Sequence, residues 1–428
     1  MTWGQQEIWH TIQRTGRTLN IGGVLPLPPS ATIGEFTRLL EFLVGRHQAL
    51  RTRFRAVGSG PPRQVLSSSG TVHLDVVDAP AAADAAADAA AEALRSRYEF
   101  TPFDYAAEFP VRMGVIRAGD RLTHLVVQYC HLAVDGFGIE AVIRDLAQVP
   151  DAATADPPPA VDSVRPLELA ARQQSPAGRR QSEKSLRYWE AQLDGVPPAR
   201  FGVSDDPRTP RFWELVCHSP ALHLALQMVA ARTRAETGHV LLAAYAVAMA
   251  RVTGRRPSVA QVLVSNRFRP GFADAVCHLT QPGLFVIDTP PGLAFDELVG
   301  RVWKSATAAY LHGYYDPAAH RAMLDRLAAE RGAPVDLSCF VNDRRGAVPT
   351  MSTVDAPTPA DVRAALPATT MRWDRRLPTY DGTFYLQVDA TPDAVDFAIW
   401  ADTHALSPAQ VEACARELES AAVTAALS

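Results

Sequence analysis

The sequence lacks the features that would tie it to a membrane or to nucleic acid. No apolar run approaches the roughly 20 residues that a helix needs to cross a bilayer, and no charged leader with an apolar core marks a signal peptide. Lys and Arg (42) do not outnumber Asp and Glu (46), and the formal net charge is −4 at pH 7. Without a basic stripe, neither nucleic acid nor an anionic membrane is expected as a partner.

Cysteine is scarce, and its spacing argues against a metal site. The five cysteines are far apart: Cys130, Cys217, Cys277, Cys339 and Cys414. The first three each precede a histidine, which raises the question of metal ligation. No pair has the close spacing of zinc ligands, so we expect buried free thiols, no bound metal and a reducing, cytoplasmic compartment.

Several catalytic signatures are missing as well. The sequence contains no Gly-x-Ser-x-Gly, no Gly-x-x-x-x-Gly-Lys-Ser/Thr and no complete Gly-x-Gly-x-x-Gly. These absences disfavour a serine hydrolase of the nucleophile-elbow type and the common nucleotide-binding folds. No short-period repeat of the solenoid kind is present either.

What is present indicates a mixed α/β protein of more than one domain. The chain has 428 residues, of which 47% are hydrophobic, enough for more than one packed core. Apolar alternation typical of strands recurs between helical patterns in both halves, which favours an α/β or α+β architecture. Residues 149–166 are rich in proline and small side chains, and they are the best candidate for a linker.

One stretch carries candidate chemistry: LVVQYCHLAVDGFGIEAVIRDL, residues 125–146. Alternation predicts a strand that places Tyr129 and His131 on one face and Cys130 on the other. A histidine held there, with an unperturbed pKa of about 6.5, suits proton transfer. Asp135 and Gly136 follow in a turn before a helix. Two simpler interpretations stay open: His131 as a hydrogen-bonded core residue, and Asp135 as a helix N-cap.

Separated stretches along nearly the whole chain resemble, in order, the motifs of the condensation domains of nonribosomal peptide synthetases. They are TWGQQEIW, RHQALRTRF, FTPFDYAAEFPVRMGVI, YCHLAVDG, LRYWEAQL, VSNRFRP and GLFVID. The resemblance implies an α/β (α+β) fold of two chloramphenicol-acetyltransferase-like lobes, residues 1–165 and 166–428. It further implies that the lobes form a V-shaped pseudo-dimer around a central tunnel.

The resemblance also implies roles for the residues of the central motif. The family motif is His-His-x-x-x-Asp-Gly, and this chain has Cys130 where the first histidine belongs. His131, Asp135 and Gly136 match. The second histidine is the one tied to chemistry, so His131 would act as base or as positioner of the acceptor amine. The backbone N–H of Gly136 is one candidate donor to the oxyanion.

Other residues receive structural or pocket roles from the same resemblance. Asp135 would form a structural ion pair with an arginine of the other lobe, and Arg267 occupies the matching place. Arg51 would be a structural arginine of the amino-terminal lobe. Ser338 and Asn342 lie in a predicted strand that would border the tunnel, so they are candidate pocket residues.

The implied reaction is transfer of an acyl group from a carrier-protein thioester to an amine or a hydroxyl. The phosphopantetheine arm would come with the carrier protein, no cofactor would bind directly, and we expect a monomer. Trimeric acetyltransferases carry a related motif, but near the carboxy-terminus, and epimerisation and cyclisation domains have motifs that differ from the one in this sequence. These three classes are therefore disfavoured. A non-catalytic member that recruits a carrier protein or tailoring enzyme remains the alternative, because Cys130 departs from the family motif.

Overall fold

The computed structural model describes five stretches of the chain: residues 1–57, 60–80, 84–147, 163–345 and 356–428. The predicted linker, residues 149–166, lies outside these stretches except for its last four residues. Within the described stretches, no helix is both long enough and apolar enough to cross a membrane.

Contacts divide the chain into two compact units. The first consists of Met1–Arg179 and Ser265–Gln281, and the second of Arg180–Val264 and Pro282–Ser428. The first unit therefore contains residues 265–281, although they follow the predicted linker by about a hundred positions. The expected division into lobes of residues 1–165 and 166–428 stays a prediction of the sequence pattern.

The first unit holds five helices and six strands among its described residues. The helices are α1 (Trp3–Thr15), α2 (Ile33–Arg46), α3 (Asp84–Phe100), α4 (Gly136–Ala147) and α5 (Pro166–Gln174). The strands are β1 (Ile21–Pro26), β2 (Thr52–Val57), β3 (Gly60–Leu66), β4 (Leu74–Ala79), β5 (Val111–Ala118) and β6 (Arg121–Tyr129). They form a mixed sheet in the order β1-β6-β5-β4 and an antiparallel pair β2-β3.

Local sequence signals explain several of these elements. Thr2 with Gln5 and Thr32 with Glu35 form capping boxes, and α1 and α2 begin directly after Thr2 and Thr32. The alanine-rich sequence of residues 84–100 forms α3, with Ala87, Ala91 and Leu94 buried on one face. Residues 57–64 are rich in glycine, proline and serine, which favours a turn, but β3 begins at Gly60 and pairs with β2. A two-stranded ribbon has only edge strands, which is where proline is tolerated.

The second unit is built on a larger sheet. Its helices are α6 (Pro176–Asp194, from Arg180), α7 (Pro220–Thr233), α8 (Thr237–Thr253), α9 (Phe295–Leu311), α10 (Pro317–Arg331), α11 (Pro359–Ala365) and α12 (Pro408–Leu427). Its strands are β7 (Phe212–Ser219), β8 (Ser258–Val264), β9 (Gln281–Ile287), β10 (Cys339–Asp343), β11 (Thr370–Leu377), β12 (Phe384–Ala390) and β13 (Val395–Asp402). The described strands form one mixed sheet, ordered β11-β7-β13-β12-β10-β8-β9.

One face of this sheet carries the main core of the second unit. Apolar side chains of α7, α8, α9 and α12 form one cluster with inward-facing sheet residues such as Leu215, Leu386 and Ile399. Helix α8 is buried on most of its surface, which agrees with its nearly continuous apolar sequence. Helix α12 has Ser407 as its N-cap, which forms a capping box with Gln410.

Candidate active site

The candidate site begins where the central strand β6 ends. Its last residue, Tyr129, pairs with Ile21 of β1 on one side and with Val111 of β5 on the other. The chain then turns, and the Ala133 N–H donates to the carbonyl of Cys130 at 2.9 Å. His131 therefore lies in this turn and not on the strand face that alternation predicts. The last backbone contact to the neighbouring strand segment is the Cys130 N–H, which donates to the Pro110 carbonyl at 3.0 Å.

Asp135 links this turn to a distant loop through both carboxylate oxygens. Oδ1 accepts the Gly138 N–H at 2.8 Å, so Asp135 is the N-cap of α4. Oδ2 accepts the Leu279 N–H at 2.9 Å, and the Thr280 N–H and hydroxyl at 3.0 and 2.8 Å. Arg267 Nη2 lies 2.8 Å from Oδ1, and Nη1 donates to Oδ2 at 3.1 Å. The side chain thus acts as cap and as ion-pair partner together.

The ionisation of Asp135 follows from these partners. The residue is 1% exposed, and burial by itself would raise the pKa of its carboxyl group. The nearby Arg267 charge and the donated hydrogen bonds outweigh burial and hold the pKa well below its usual range. Arg267 also donates to the carbonyls of Ala275 and Cys277, at 3.1 and 3.2 Å. The carboxylate is therefore ionised at neutral pH, and both of its oxygens accept hydrogen bonds.

The Asp135–Arg267 ion pair that the sequence predicts is present. Both residues belong to the first compact unit, because residues 265–281 pack with it. The pair consequently holds a loop of the first unit onto the start of α4.

The two ring nitrogens of His131 differ: Nδ1 has a hydrogen-bond partner, and Nε2 has none among the described residues. Nδ1 lies 2.9 Å from the Val134 carbonyl oxygen, which can only accept, so Nδ1 carries the proton in the neutral ring. Among the described residues, Nε2 has no hydrogen-bond partner, and it keeps a lone pair. Burial lowers the pKa of His131, against smaller opposing effects of the Val134 carbonyl and the Asp135 charge. The imidazole is therefore neutral at neutral pH.

A second histidine lies against His131. Nδ1 of His278 lies 2.8 Å from the backbone carbonyl oxygen of His131, so it too carries the proton and donates it. The two rings meet edge to face, with centroids 4.9 Å apart and an interplanar angle of 61°. Burial, with the neighbouring His131 charge as a smaller cause, lowers the pKa of His278 to about 4. Both rings are thus neutral near pH 7.

In this geometry, Asp135 and His131 differ in whether they can exchange a proton near neutral pH. Asp135 is saturated with donors and stays ionised, so it neither gives nor takes a proton near neutral pH. His131 offers a neutral ring with a lone pair on Nε2, which can accept a proton or a hydrogen bond from a nucleophile. His131 is therefore a candidate for acid–base chemistry among the described residues at this turn.

Comparison with known proteins identifies the family. A family model described as "Condensation domain" matches residues 4–324, more than half of the chain. The chain belongs to the condensation domain family. The phosphinothricin tripeptide synthetase PhsC of Streptomyces viridochromogenes is 28% identical over 320 residues, which cover 72% of this condensation domain and 29% of that protein. The chain spans still smaller shares of several other nonribosomal peptide synthetases.

Solved structures confirm the mixed α/β fold of this condensation domain. The condensation domain of the monacolin K polyketide synthase MokA matches with a TM-score of 0.77 at 17% identity, covering 100% of this chain and 97% of that chain. The X-domain from teicoplanin biosynthesis, solved in complex with OxyB, matches with a TM-score of 0.73 at 17% identity, covering 100% and 93%. At such identities, the likeness shows the fold.

Cys130 lies behind the motif of this condensation domain. It is buried in an apolar cluster with Phe54, Phe103, Leu132 and Ala133. Burial raises the pKa of its thiol to about 12, so the thiol is protonated at neutral pH. The Cys130 thiol therefore lies in apolar surroundings, whereas the His131 ring contacts the Val134 carbonyl and His278.

The remaining predicted site residues lie elsewhere. Arg51 donates to the carbonyls of Val44 and Gly45, at the carboxy-terminal end of α2. Ser338 donates its hydroxyl to Asp336, and its carbonyl accepts the Thr383 N–H at 2.8 Å. Asn342, in β10, donates to the Tyr385 hydroxyl at 3.3 Å. Ser338 and Asn342 belong to the second unit, and their pocket role stays a prediction.

Sequence reasoning missed His278 and Thr280 as site residues. The sequence shows Cys277 directly before His278, but this pair was considered only as a metal-binding feature. No local pattern relates position 278 to position 131, which is 147 residues away. Among the described residues, no group of three His, Cys, Asp or Glu side chains is placed to hold a metal ion.

Proposed function

We propose that this condensation domain is an acyltransferase of natural-product biosynthesis. It joins an acyl or aminoacyl group, carried as a thioester on a carrier protein, to an amine or hydroxyl acceptor. One observation carries the proposal: His131 is a neutral imidazole whose Nδ1–H is held by the Val134 carbonyl and whose Nε2 lone pair has no partner among the described residues. A domain that serves only as a platform has no need of such a group.

In the proposed reaction, the acceptor nitrogen attacks the thioester carbon while Nε2 of His131 accepts its proton or a hydrogen bond. The C–N bond forms, the C–S bond breaks, and the proton passes to the departing thiolate. A thioester is already activated, so alignment of the two reactants supplies several kcal/mol by proximity. A hydroxyl acceptor would follow the same course and give an ester.

Asp135 and Arg267 have a structural role in this proposal. Their ion pair and the donors from residues 279 and 280 fix the start of α4 and so the turn that carries His131. Gly136 begins α4, and a Cβ placed on it would meet no described atom within 4 Å. Its N–H, at a helix amino-terminus, is our candidate donor to the oxyanion.

The partners follow from the same chemistry. The donor arrives on the phosphopantetheine arm of a carrier protein, so the arm is part of the substrate. The acceptor is either a small molecule or a second carrier-bound group. We expect a cytoplasmic monomer that needs neither nucleic acid nor a membrane for its activity.

A single-turnover transfer assay, followed by intact-protein mass spectrometry, tests the proposal. Carrier proteins encoded beside this gene are loaded with candidate acyl groups and offered amines and alcohols. We expect transfer by the wild type and a loss of about 10²-fold or more in His131→Ala. His124→Ala is the matched control, because His124 lies on β6 and pairs with Asp88 at 3.3 Å. Equal rates for wild type and His131→Ala would remove His131 from the chemistry.

A second candidate function is recruitment of a carrier protein or tailoring enzyme without catalysis. It is supported by the shared fold of the X-domain that was solved with OxyB, and by Cys130 at the place of the first motif histidine. Binding without transfer, equally tight for the wild type and His131→Ala, would favour this function over acyl transfer.

A further inference from the structure

We propose that His278 is a positioning residue that holds the His131 imidazole in its productive orientation. The inference rests on the proposed acyl transfer and names a residue outside the motif that the transfer depends on. It follows from the contacts that surround the turn at His131, most of which come from residues far away in the chain.

Three contacts fix His131, and His278 supplies two of them. The ring nitrogen Nδ1 is tied to the Val134 carbonyl at 2.9 Å. The backbone carbonyl receives the Nδ1–H of His278 at 2.8 Å, and the two rings are in edge-to-face contact. Together these contacts define the peptide plane after His131 and the tilt of its ring, and they leave Nε2 free.

The need for such support follows from where His131 lies. It has left the ladder of β6 and has not entered α4, so regular secondary structure does not hold its carbonyl. A backbone carbonyl at such a place requires another donor. His278 provides that donor from a loop that Arg267 and Asp135 anchor. The loop and the catalytic turn are therefore coupled at two places.

Helix α1 in turn supports His278. The Thr2 hydroxyl donates to the carbonyl of His278 at 3.1 Å. Gly4 lies directly against the same residue, since a Cβ added there would be 2.7 Å from the His278 carbonyl oxygen and 2.9 Å from its Cδ2. Only glycine leaves room for the ring at this distance. The line of contacts thus runs from the first turn of α1 through His278 to His131.

Two substitutions separate the hydrogen bond from the ring contact. His278→Asn keeps an N–H donor at the place of Nδ1, because Nδ2 of asparagine and Nδ1 of histidine are equally far from Cβ. His278→Phe keeps an aromatic ring against His131 and removes the donor. Both changes remove the titratable group, so activity that is kept in His278→Asn and lost in His278→Phe reports on the hydrogen bond and not on the ring contact.

The variants are compared with the wild type in the carrier-protein transfer assay, with kcat and KM determined separately. We expect kcat to fall about 10-fold or more in His278→Phe with little change in KM, and to stay within about 3-fold of the wild type in His278→Asn. A purely structural role would lower the folded fraction of both variants without separating them in kcat. Equal kcat for the wild type and His278→Phe would overturn the proposal.

A second measurement tests the positioning role without an activity assay. It applies even if the wild type transfers no acyl group, a result that would overturn the proposed function by itself. Nitrogen-15 histidine spectra report the tautomer of each neutral ring, and His131→Ala identifies the signals of His131. We expect the wild type and His278→Asn to show His131 as one Nδ1-protonated tautomer, and His278→Phe to show a mixture. A single tautomer in all three proteins would overturn the positioning role independently of activity.

Discussion

At the scale of the residue, the surroundings of Asp135 favour its charged form, whereas those of His131 favour its neutral form. Asp135 receives a cap contact, three further donors and an arginine, so its charged form is stabilised in spite of burial. Among the described residues, the His131 ring has one hydrogen-bond partner, the Val134 carbonyl at Nδ1, and burial favours its neutral form. The protein thus holds a fixed anion beside a neutral base, which is a useful arrangement for accepting a proton near pH 7.

The first residue-scale prediction concerns Asp135→Asn. An amide would place an N–H group against the donors of residues 279 and 280 and leave Arg267 without its counter-ion in a buried place. We expect the free energy of unfolding to fall by about 3–5 kcal/mol, because a buried charge loses its partner. Urea denaturation followed by tryptophan fluorescence measures this loss.

An exposed ion pair in the same unit gives the control for this prediction. Asp274 pairs with Arg144 at 3.1 Å, but its side chain is 65% exposed. Asp274→Asn should change stability by less than about 1 kcal/mol. If Asp135→Asn and Asp274→Asn lower the free energy of unfolding by the same amount, the buried pair has no special structural role.

At the scale of the element, glycine decides how closely segments approach in the first unit. Gly22 lies in β1, and a Cβ there would be 2.0 Å from the Val127 carbonyl oxygen of β6. Gly138 lies in the first turn of α4, where a Cβ would be 2.5 Å from Val134 Cγ2 and 3.0 Å from the Cys277 carbonyl oxygen. These glycines allow β1, β6, α4 and the loop of residues 265–281 to approach one another around the turn that carries His131.

The element-scale prediction is that Gly4→Ala impairs transfer through His278. The added methyl would push on the His278 carbonyl and ring, which lie 2.7 and 2.9 Å from its position. We expect kcat to fall about 10-fold, as in His278→Phe, because a shift of about 1 Å at a catalytic group is costly. The same transfer assay measures it, at a temperature where the variant is folded.

Gly300→Ala in α9 is the matched control, since a Cβ there meets no described atom within 4 Å. It should leave kcat unchanged and raise stability by about 0.5–1 kcal/mol, because alanine has a smaller backbone entropy cost than glycine in a helix. Wild-type activity in Gly4→Ala would argue against the path from α1 to His131.

At the scale of the whole molecule, buried neutral histidines occur in both compact units. Burial is the main cause that lowers the pKa of His47 and of His278 to about 4, and that of His320 to about 3. His320 lies between the rings of Trp189 and Tyr315, with centroid distances of 4.4 and 4.6 Å. Folding therefore keeps these rings unprotonated over a wide range of pH.

The whole-molecule prediction is a loss of stability in mild acid. An unfolded histidine titrates at about 6.5, above the folded values, so the unfolded state binds more protons as the pH falls below 6.5. This contribution is complete above about pH 6.5, and the free energy of unfolding should fall by several kcal/mol as the pH drops toward 3. Urea denaturation at a series of pH values measures the slope.

His320→Phe tests one member of this group. Phenylalanine keeps a ring against Trp189 and Tyr315 but cannot bind a proton, and His320 Nε2 has no hydrogen-bond partner to lose within the described part of the chain. The variant should show a shallower dependence of stability on pH than the wild type. An unchanged slope would mean that His320 is not one of the groups that titrate on unfolding.

Elements that depend on near neighbours were predictable from the sequence. Capping boxes at Thr2 and Thr32, the alanine-rich α3 and the strand-turn-helix around His131 each rest on residues within a few positions of one another. Strand β1 escaped prediction, because its two glycines have low strand propensity. Its formation depends on the close approach of Gly22 to β6, which local pattern does not contain.

The sequence by itself determined the family motif, the mixed α/β class and the identity of His131, Asp135 and Arg267 as candidates, since short-range pattern and residue chemistry carry these. Tertiary structure alone decided which distant groups surround them. Arg267 and His278 reach the motif from 132 and 147 positions away, and the segment that bears them packs with the first unit. Such contacts come from the burial of a whole loop, for which neither periodicity nor spacing leaves a signal.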